Sequence, residues 1–259
     1  MEVAPKLTPI IRWPGGKTRM LKHLLPLIPA HVCYCEVFAG GLALLLAKPR
    51  SVTEVVNDWN EELVALYLCV QKHKEELIRY FQQSISSRLL LKLYLADRGL
   101  TDIERSCRFL LRNRISFAAN GRHYGFSKTR AGGGRFRREY VINLIEECSK
   151  RLDNVGVENL TWQRCLDYYD SKETFFFLDP PYLHASPVAY PGWEEAQMTE
   201  FRDRVDALNG SWMITVDDSE FNRSLWKHRR LREVTTHNGC VNARHAKGTR
   251  FGELIITPS

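Results

Sequence analysis

The sequence predicts an α/β fold: an open, mostly parallel sheet with helices on both faces, an antiparallel hairpin at its C-terminal end, and a helical insertion in the middle. Three observations predict it. Strand-like runs alternate with helical periodicity toward both ends of the chain, the pattern of a parallel sheet covered on both sides. Residues 62–138 carry helical periodicity without clear strands, so they read as an insertion. The last two strand-like runs are joined by His237–Arg250, too short a connection for a helical crossover, so they pair antiparallel.

The elements follow in order. Thr18–Leu27 reads as a helix ending near Pro29. Tyr34–Phe38 reads as the first strand, and a glycine turn joins it to an apolar helix, Leu42–Ala47. Val52–Val56 is the second strand, and Glu61–Gln82 is the longest helix. Arg88–Asp97 is a short helix, and Thr101–Asp102–Ile103–Glu104 has the form of a capping box opening another. Tyr140–Leu152 is helical, Val155–Trp162 reads as a strand, and Thr174–Leu178 is apolar enough for a strand buried on both faces. Thr199–Leu208 is the last helix, and Trp212–Val216, Leu231–Thr235 and Glu253–Thr257 are the last strands. The implied organisation is one domain built from 1–61 and 139–259, carrying the insertion 62–138.

Composition excludes some classes. A chain of 259 residues, 44% hydrophobic and 26% charged, can bury a real core and is neither disordered nor a disulfide-stapled miniprotein. No apolar run is long enough for a bilayer. Met1–Pro9 lacks the apolar stretch of a signal peptide, and seven cysteines without regular spacing read as reduced thiols. The expectation is a cytoplasmic protein with no membrane association and no obligate protein partner. The net charge of +7 is unevenly placed: residues 101–140 hold ten Lys/Arg against three Asp/Glu, and residues 221–250 hold eight against one. Two basic blocks of this kind suit a polyanionic partner.

Four motifs carry chemistry. Asp179–Pro180–Pro181–Tyr182 follows the apolar Thr174–Leu178. Two prolines cannot continue a ladder, so the strand stops and leaves Asp179 and Tyr182 at its carboxyl end, where open α/β sheets bind ligands. Glu36–Val37–Phe38–Ala39–Gly40–Gly41 is a strand-to-helix turn whose glycines admit close ligand approach. Val56–Asn57–Asp58–Trp59–Asn60 ends the next strand and places Asp58 18 residues beyond Gly40, a spacing that suits two ribose hydroxyls of an adenosine-containing cofactor. Trp13–Pro14–Gly15–Gly16–Lys17–Thr18 lacks the upstream glycine of a phosphate-binding loop, since position 11 is Ile, so nucleoside-triphosphate hydrolysis is excluded. The loop instead offers an aromatic ring and an ammonium to a ligand. Residues 120–138 combine glycine, arginine and the aromatic Phe126 and Phe136, a composition for phosphate contact and base stacking; Arg122, Tyr124, Lys128 and Arg130 are its candidates for DNA contact. Arg229, Arg230, Arg244, Lys247 and Arg250 near the final hairpin offer a second phosphate track. Cys33 and Cys35 flank Tyr34 on one strand and lack the spacing of a zinc site. Asp217–Asp218 reads as an acidic strand end rather than a metal site. No metal is expected.

Trp-x-Gly-Gly-Lys, Phe-x-Gly, Asn-Asp-x-Asn and Asp-Pro-Pro-Tyr, in this order, resemble the Dam-type DNA adenine-N6 methyltransferases, the alpha arrangement of amino-methyltransferases. The resemblance covers nearly the whole chain. It implies a Rossmann-like catalytic domain and a target-recognition insertion at 62–138. It also implies S-adenosylmethionine as donor, with S-adenosylhomocysteine as product, and double-stranded DNA as partner. Carried over residue by residue, Trp13 and Lys17 cover the cofactor, Phe38, Ala39 and Gly40 form its floor, Asp58 holds the ribose, and Asp179 lies beside both cofactor and target amine. Asp179, Pro180 and Tyr182 then act on an adenine flipped out of the duplex. Expected DNA contacts in the insertion are Arg112, Asn113, Asn120, Arg122, Tyr124, Lys128 and Arg130. The chain departs from the family pattern at Leu42, where a second glycine is usual, and at Ser116–Phe117–Ala118–Ala119, where the family tends to a Gly-Tyr-Asn-Gly-like run. Two other readings stay open: an amino-methyltransferase acting on RNA or a protein amide, and a catalytically silent DNA-binding relative. Asp rather than Asn at position 179 favours a nucleobase over a protein amide.

Overall fold

In the computed structural model, which describes residues 7–126, 136–183, 193–237 and 250–258, seven strands form one sheet. They are β1 (Cys33–Glu36), β2 (Thr53–Asn57), β3 (Val155–Glu158), β4 (Thr174–Leu178), β5 (Ser211–Asp217), β6 (Arg230–His237) and β7 (Arg250–Thr257), in the order β3-β2-β1-β4-β5-β7-β6. β1 pairs in parallel with β2 and β4, β4 pairs in parallel with β5, and β7 runs antiparallel to β5 and β6. This is the sheet expected from sequence. Strand order reverses at β1, which has β2 on one side and β4 on the other, so the carboxyl ends of β1 and β4 meet at a topological switch point.

Contacts divide the chain into two compact units. The first comprises residues up to Lys17, Gly40–Pro49 and Asp58–Asn159; the second comprises Thr18–Ala39, Arg50–Asn57 and the chain from Leu160 onward. The segment 62–138 falls wholly in the first unit. The grouping by contact is wider than that segment, because the following helix packs on the helices within it.

In the second unit the sheet core explains why β4 is so apolar. Cys35, Val37, Val55, Phe176, Leu178, Trp212, Ile214, Val216, Leu254 and Ile256 point to one face and pack with residues of α8 (Trp162–Tyr169), α9 (Glu195–Asp206) and the Trp226 that follows α10 (Glu220–Leu225). The alternate residues Tyr34, Phe175, Phe177, Met213, Thr215 and Ile255 are buried as well. A strand covered on both faces must be apolar at every position. The short α1 (Leu21–Leu24) completes this unit, flanked by 3-10 turns at Lys17–Arg19 and Leu25–Leu27. Pro26 lies in the second turn and has no N–H for a continuing helix, so the single helix expected over Thr18–Leu27 breaks into short pieces.

The first unit carries α2 (Ala43–Ala47), α3 (Glu61–Lys72), α4 (Lys74–Gln82), α5 (Arg88–Ala96), α6 (Asp102–Ile115) and α7 (Arg138–Leu152). α6 opens with the expected capping box: the Thr101 side chain accepts from the Glu104 N–H, and the Glu104 side chain accepts from the Thr101 N–H. Its other end is anchored to the chain before Trp13. Asn113 accepts from the Arg12 N–H at 3.0 Å and donates to the Arg12 and Ala119 carbonyls, while buried Arg114 donates to the carbonyls of Pro9 and Ile10.

α10 is not expected from sequence, and three further elements differ from expectation. The helix over Glu61–Gln82 is two helices, broken at His73, whose φ of −133° and ψ of 38° are not helical. The strand over Val155–Trp162 stops at Glu158, because Thr161 caps α8 by accepting from the Arg164 N–H. The helix over Thr199–Leu208 starts earlier, at Glu195, behind a capping box made by Glu194 and Gln197. Cys33, Cys35, Cys69, Cys107, Cys148 and Cys165 are free thiols. Among the described residues no helix is long and apolar enough to cross a membrane.

Candidate active site

Asn57 and Asp58, consecutive at the end of β2, hold the turn that follows β1. The Asn57 carbonyl accepts from the Ala39 N–H at 2.8 Å, and the Asn57 side-chain amide donates to the Val37 carbonyl at 2.9 Å. The same side chain accepts from the Leu160 N–H and donates to the Leu160 carbonyl. Phe38 packs edge-on against Trp193 and Phe201, each at 5.9 Å between ring centroids. The Phe38–Ala39 turn is thus fixed by backbone bonds on one side and aromatic packing on the other.

Asp58 holds Gly40. Its Oδ2 accepts from the Gly40 N–H and its Oδ1 from the Asn60 N–H, each at 2.9 Å. The side chain is buried, and burial lifts its pKa from the ordinary 3.8 to about 6 even though backbone N–H groups at Asn60, Gly40 and Trp59 pull it down. Gly40 has φ +45°, and a Cβ there would lie 2.8 Å from Cδ1 of Trp13. The indole therefore lies directly on the glycine backbone. Buried Tyr67 donates its hydroxyl to the Gly40 carbonyl. Before it, Gly16 N–H donates to the Trp13 carbonyl, and the buried Lys17 ammonium donates to the Gly15 carbonyl at 2.8 Å. Trp13, Lys17, Gly40 and Asp58 thus belong to one unit, as do Phe38 and Ala39 with Asn57 in the other.

Leu42, where the family's second glycine falls, adopts φ 59° and ψ 29°, the left-handed conformation that glycine takes readily. Leucine thus stands where the backbone takes a conformation that glycine adopts without strain, and its buried side chain joins the core.

At the end of β4, Asp179 accepts at Oδ1 from the Thr215 hydroxyl of β5 at 2.7 Å. Tyr182 lies close by, and its phenol pKa is pushed well up, first by burial and then by the charges of Asp179, Glu253 and Asp217. The ring is a neutral, desolvated face at physiological pH. Asp217 and Glu253 sit opposite each other across the β5–β7 pair, and Asn222 donates to the Asp217 carboxylate and carbonyl. Asp218 is engaged by Arg223 at 2.5 and 2.8 Å, the acidic strand end expected from sequence. Among the described residues no cluster of His, Cys, Asp and Glu is arranged to hold a metal.

The residues expected to touch DNA separate into two groups. Arg112 pairs with Glu62 at 2.5 Å and is largely shielded, and Asn113 is buried with its amide committed to Arg12 and Ala119. Both side chains are engaged within the protein. Asn120, Arg122 and Tyr124 lie on a tight loop closed by a Ser116–Tyr124 bridge. Asn120 Oδ1 accepts from the Arg122 and His123 N–H groups, and Ala119 and Gly121 take φ of 59° and 69°. Tyr124 bonds Ser86, lies under the Arg88 guanidinium and stacks on the exposed Phe126. Sequence reading missed Arg88, which has no motif around it. Lys128 and Arg130 lie outside the described residues, as do Arg244 and Lys247, and nothing is described of the Arg250 side chain. In the second basic block Arg223 and Arg229 are bound to carboxylates, Arg223 to Asp218 and Glu233 and Arg229 to Asp206. Formal charge therefore overstates the cation that this block offers to a phosphate.

The sheet with its switch point is that of an open α/β protein that binds its ligand at strand ends. The family model of the D12 class N6 adenine-specific DNA methyltransferases matches residues 13–238, and the chain belongs to that family. It is similar to the Type II methyltransferase M1.LlaDCHI of Lactococcus lactis subsp. cremoris, 26% identical over 97% of this chain and 95% of that protein. It is likewise similar to the Type II methyltransferase M.CviBI of Paramecium bursaria Chlorella virus NC1A, 28% identical over 95% and 92%. The DNA adenine methylase of Salmonella typhi is 20% identical over 86% of each chain.

Proposed function

We propose that this DNA adenine methyltransferase takes its methyl group from S-adenosylmethionine and delivers it to the N6 amine of an adenine flipped out of double-stranded DNA. The observation that carries the reading is Asp179 at the carboxyl end of the buried β4, followed by two prolines that end the ladder. Family membership supports both the donor and the substrate.

The residues fit such a donor. The Trp13 indole covers the Gly40 backbone and offers an aromatic face beside the turn where the cofactor is assigned. Asp58 is a carboxylate whose remaining lone pairs suit the two ribose hydroxyls. Phe38, Ala39 and Lys17 complete the cofactor-binding set. When bound, the donor supplies an electrophilic methyl on a sulfonium.

The protein's own contribution is positioning. Extruding a base costs a few kcal/mol, and stacking on Tyr182 returns about 1–3 kcal/mol of that. The Asp179 carboxylate and the Pro180 carbonyl accept the two amine N–H bonds. They draw the nitrogen lone pair out of conjugation and leave it available to attack. The donor, when bound, would supply the methyl carbon and keep the C–S electron pair, and the proton that the amine loses would pass to the Asp179 carboxylate that already accepts it. Such alignment supplies up to about 7–11 kcal/mol. On the DNA side the residues assigned are Asn120, Arg122 and Tyr124, with Lys128 and Arg130 from sequence alone, and the segment 62–138 as the target-recognition region.

The test is Asp179→Ala. The variant is expected to bind DNA as the parent does and to lose methyl transfer. Retained turnover overturns the reading.

A further inference from the structure

We infer that Thr215 is a positioning residue for methyl transfer: its hydroxyl fixes the orientation of the Asp179 carboxylate. The inference rests on the role proposed above for Asp179.

β4 and β5 pair in parallel with Leu178 beside Ile214. One step further along the same register brings Asp179 beside Thr215, on the same face of the sheet. The Thr215 hydroxyl lies 2.7 Å from Asp179 Oδ1. An ionised carboxylate can only accept, so threonine is the donor. Thr215 is fully buried, with Met213 and Asp217 two residues away on its own face of β5 and Ile255 opposite it in β7. Packing alone is served as well by valine at such a position, so the hydroxyl is the feature that needs a reason.

The reason lies in the torsion that sets the plane of an aspartate's carboxylate. Rotation about its last side-chain bond is soft and broad. Asp179 also stands beyond the last paired residue of β4, where Pro180 and Pro181 offer no N–H to a neighbour. A β-branched side chain has few rotamers, so the Thr215 hydroxyl is a fixed donor on a rigid central strand. It sets the plane of the carboxylate that must accept from the target amine.

The test uses the full chain and DNA that the parent methylates. Thr215→Val and Thr215→Ala remove the donor, and Thr215→Ser restores it. Both donor-less variants are expected to lower kcat by about 10- to 100-fold, the range for a hydrogen bond to a charged group. KM for DNA and for S-adenosylmethionine stays within about twofold, because the lost bond acts on the transition state and not on binding. Thr215→Ser returns to within a few-fold of the parent. Donor-less variants that keep the parent rate overturn the inference. So does a serine variant as slow as the valine variant, because the loss then follows packing. Thermal melting of each variant separates misfolding, and the alanine variant leaves a cavity instead of a clash if valine folds poorly. Asp179→Ala is assayed alongside. If it keeps turnover, the assignment of Asp179 itself falls. If it is inactive while both donor-less variants are unimpaired, only the role of Thr215 falls.

Discussion

Two adjacent glycines follow Phe38–Ala39, and the structure separates their roles sharply enough to test. Gly40 sits at φ +45°, and a Cβ on it would approach Trp13 Cδ1 at 2.8 Å and Nε1 at 3.2 Å. At Gly41 the nearest atoms to a Cβ lie at 3.5–3.7 Å, ordinary contact, and φ is outside the left-handed region. Gly40→Ala must bear left-handed strain of about 1–2 kcal/mol. It must also push the indole away by about 0.6 Å to restore the 3.4 Å of ordinary contact. For a chain of this size that strain alone lowers Tm by about 2–8 °C. The displaced indole and the altered backbone are expected to weaken S-adenosylmethionine about tenfold or more, equivalent to 1.4 kcal/mol. Gly41→Ala is expected to be neutral or to stabilise by about 0.4–1 kcal/mol, through the reduced freedom of the unfolded chain. Chemical denaturation and calorimetric titration of the cofactor read both quantities. Equal effects of the two substitutions, or a Gly40→Ala protein with the parent's stability and affinity, would refute the reasoning.

Other outcomes follow from neighbouring residues. Asp58 has its pKa raised to about 6, so the folded protein holds that proton more tightly than the unfolded chain. Stability is then highest below about pH 4 and falls by roughly 3 kcal/mol as pH rises through 6, as far as this group alone contributes. On the proposed ribose role cofactor binding runs the other way, because hydroxyls would donate to the ionised form: affinity at pH 5 should be about tenfold weaker than at pH 7.5. Asp58→Asn should abolish that pH step, whereas a flat titration of the parent would count against the ribose role. Leu42→Gly restores the family's residue but is expected to destabilise by about 1–4 kcal/mol, because relief of left-handed strain does not offset the lost burial of a leucine; a rise in Tm would contradict this. Asn113→Ala removes three internal hydrogen bonds and should cost about 2–4 kcal/mol of stability. Arg122→Ala should leave stability alone and weaken DNA binding at all sequences, lowering the salt slope by about 1; unchanged slope would remove Arg122 from the interface.

The sequence shows some elements more clearly than others, for identifiable reasons. β4 could be bounded to the residue because an apolar run ends in two prolines. The break at His73 could not, because the buried Val70 and Leu77 stand seven residues apart and keep helical phase across it. α8 did leave a signal: Trp162, Cys165, Leu166 and Tyr169 fall at i, i+3, i+4 and i+7 behind Thr161. Its apolar start was absorbed instead into the preceding strand. Motif order singles out Trp13, Gly40, Asp58 and Asp179, and the structure has them in loops and at strand ends. The bond from Gly40 to Asp58 and the donor at Thr215 depend on strand register, which no local pattern encodes. Arg112 and Asn113 show the converse. Their residue types suit DNA, and only tertiary partners reveal that both are occupied within the protein.

The most direct measurement is the chemical identity of the product. Purified protein, radiolabelled S-adenosylmethionine and double-stranded DNA of mixed sequence are incubated, the DNA is digested to nucleosides, and the label is located by chromatography. Label is expected in N6-methyldeoxyadenosine and is lost on Asp179→Ala. Label in another nucleoside, in RNA or protein instead of DNA, or DNA binding with no methyl uptake, would contradict it.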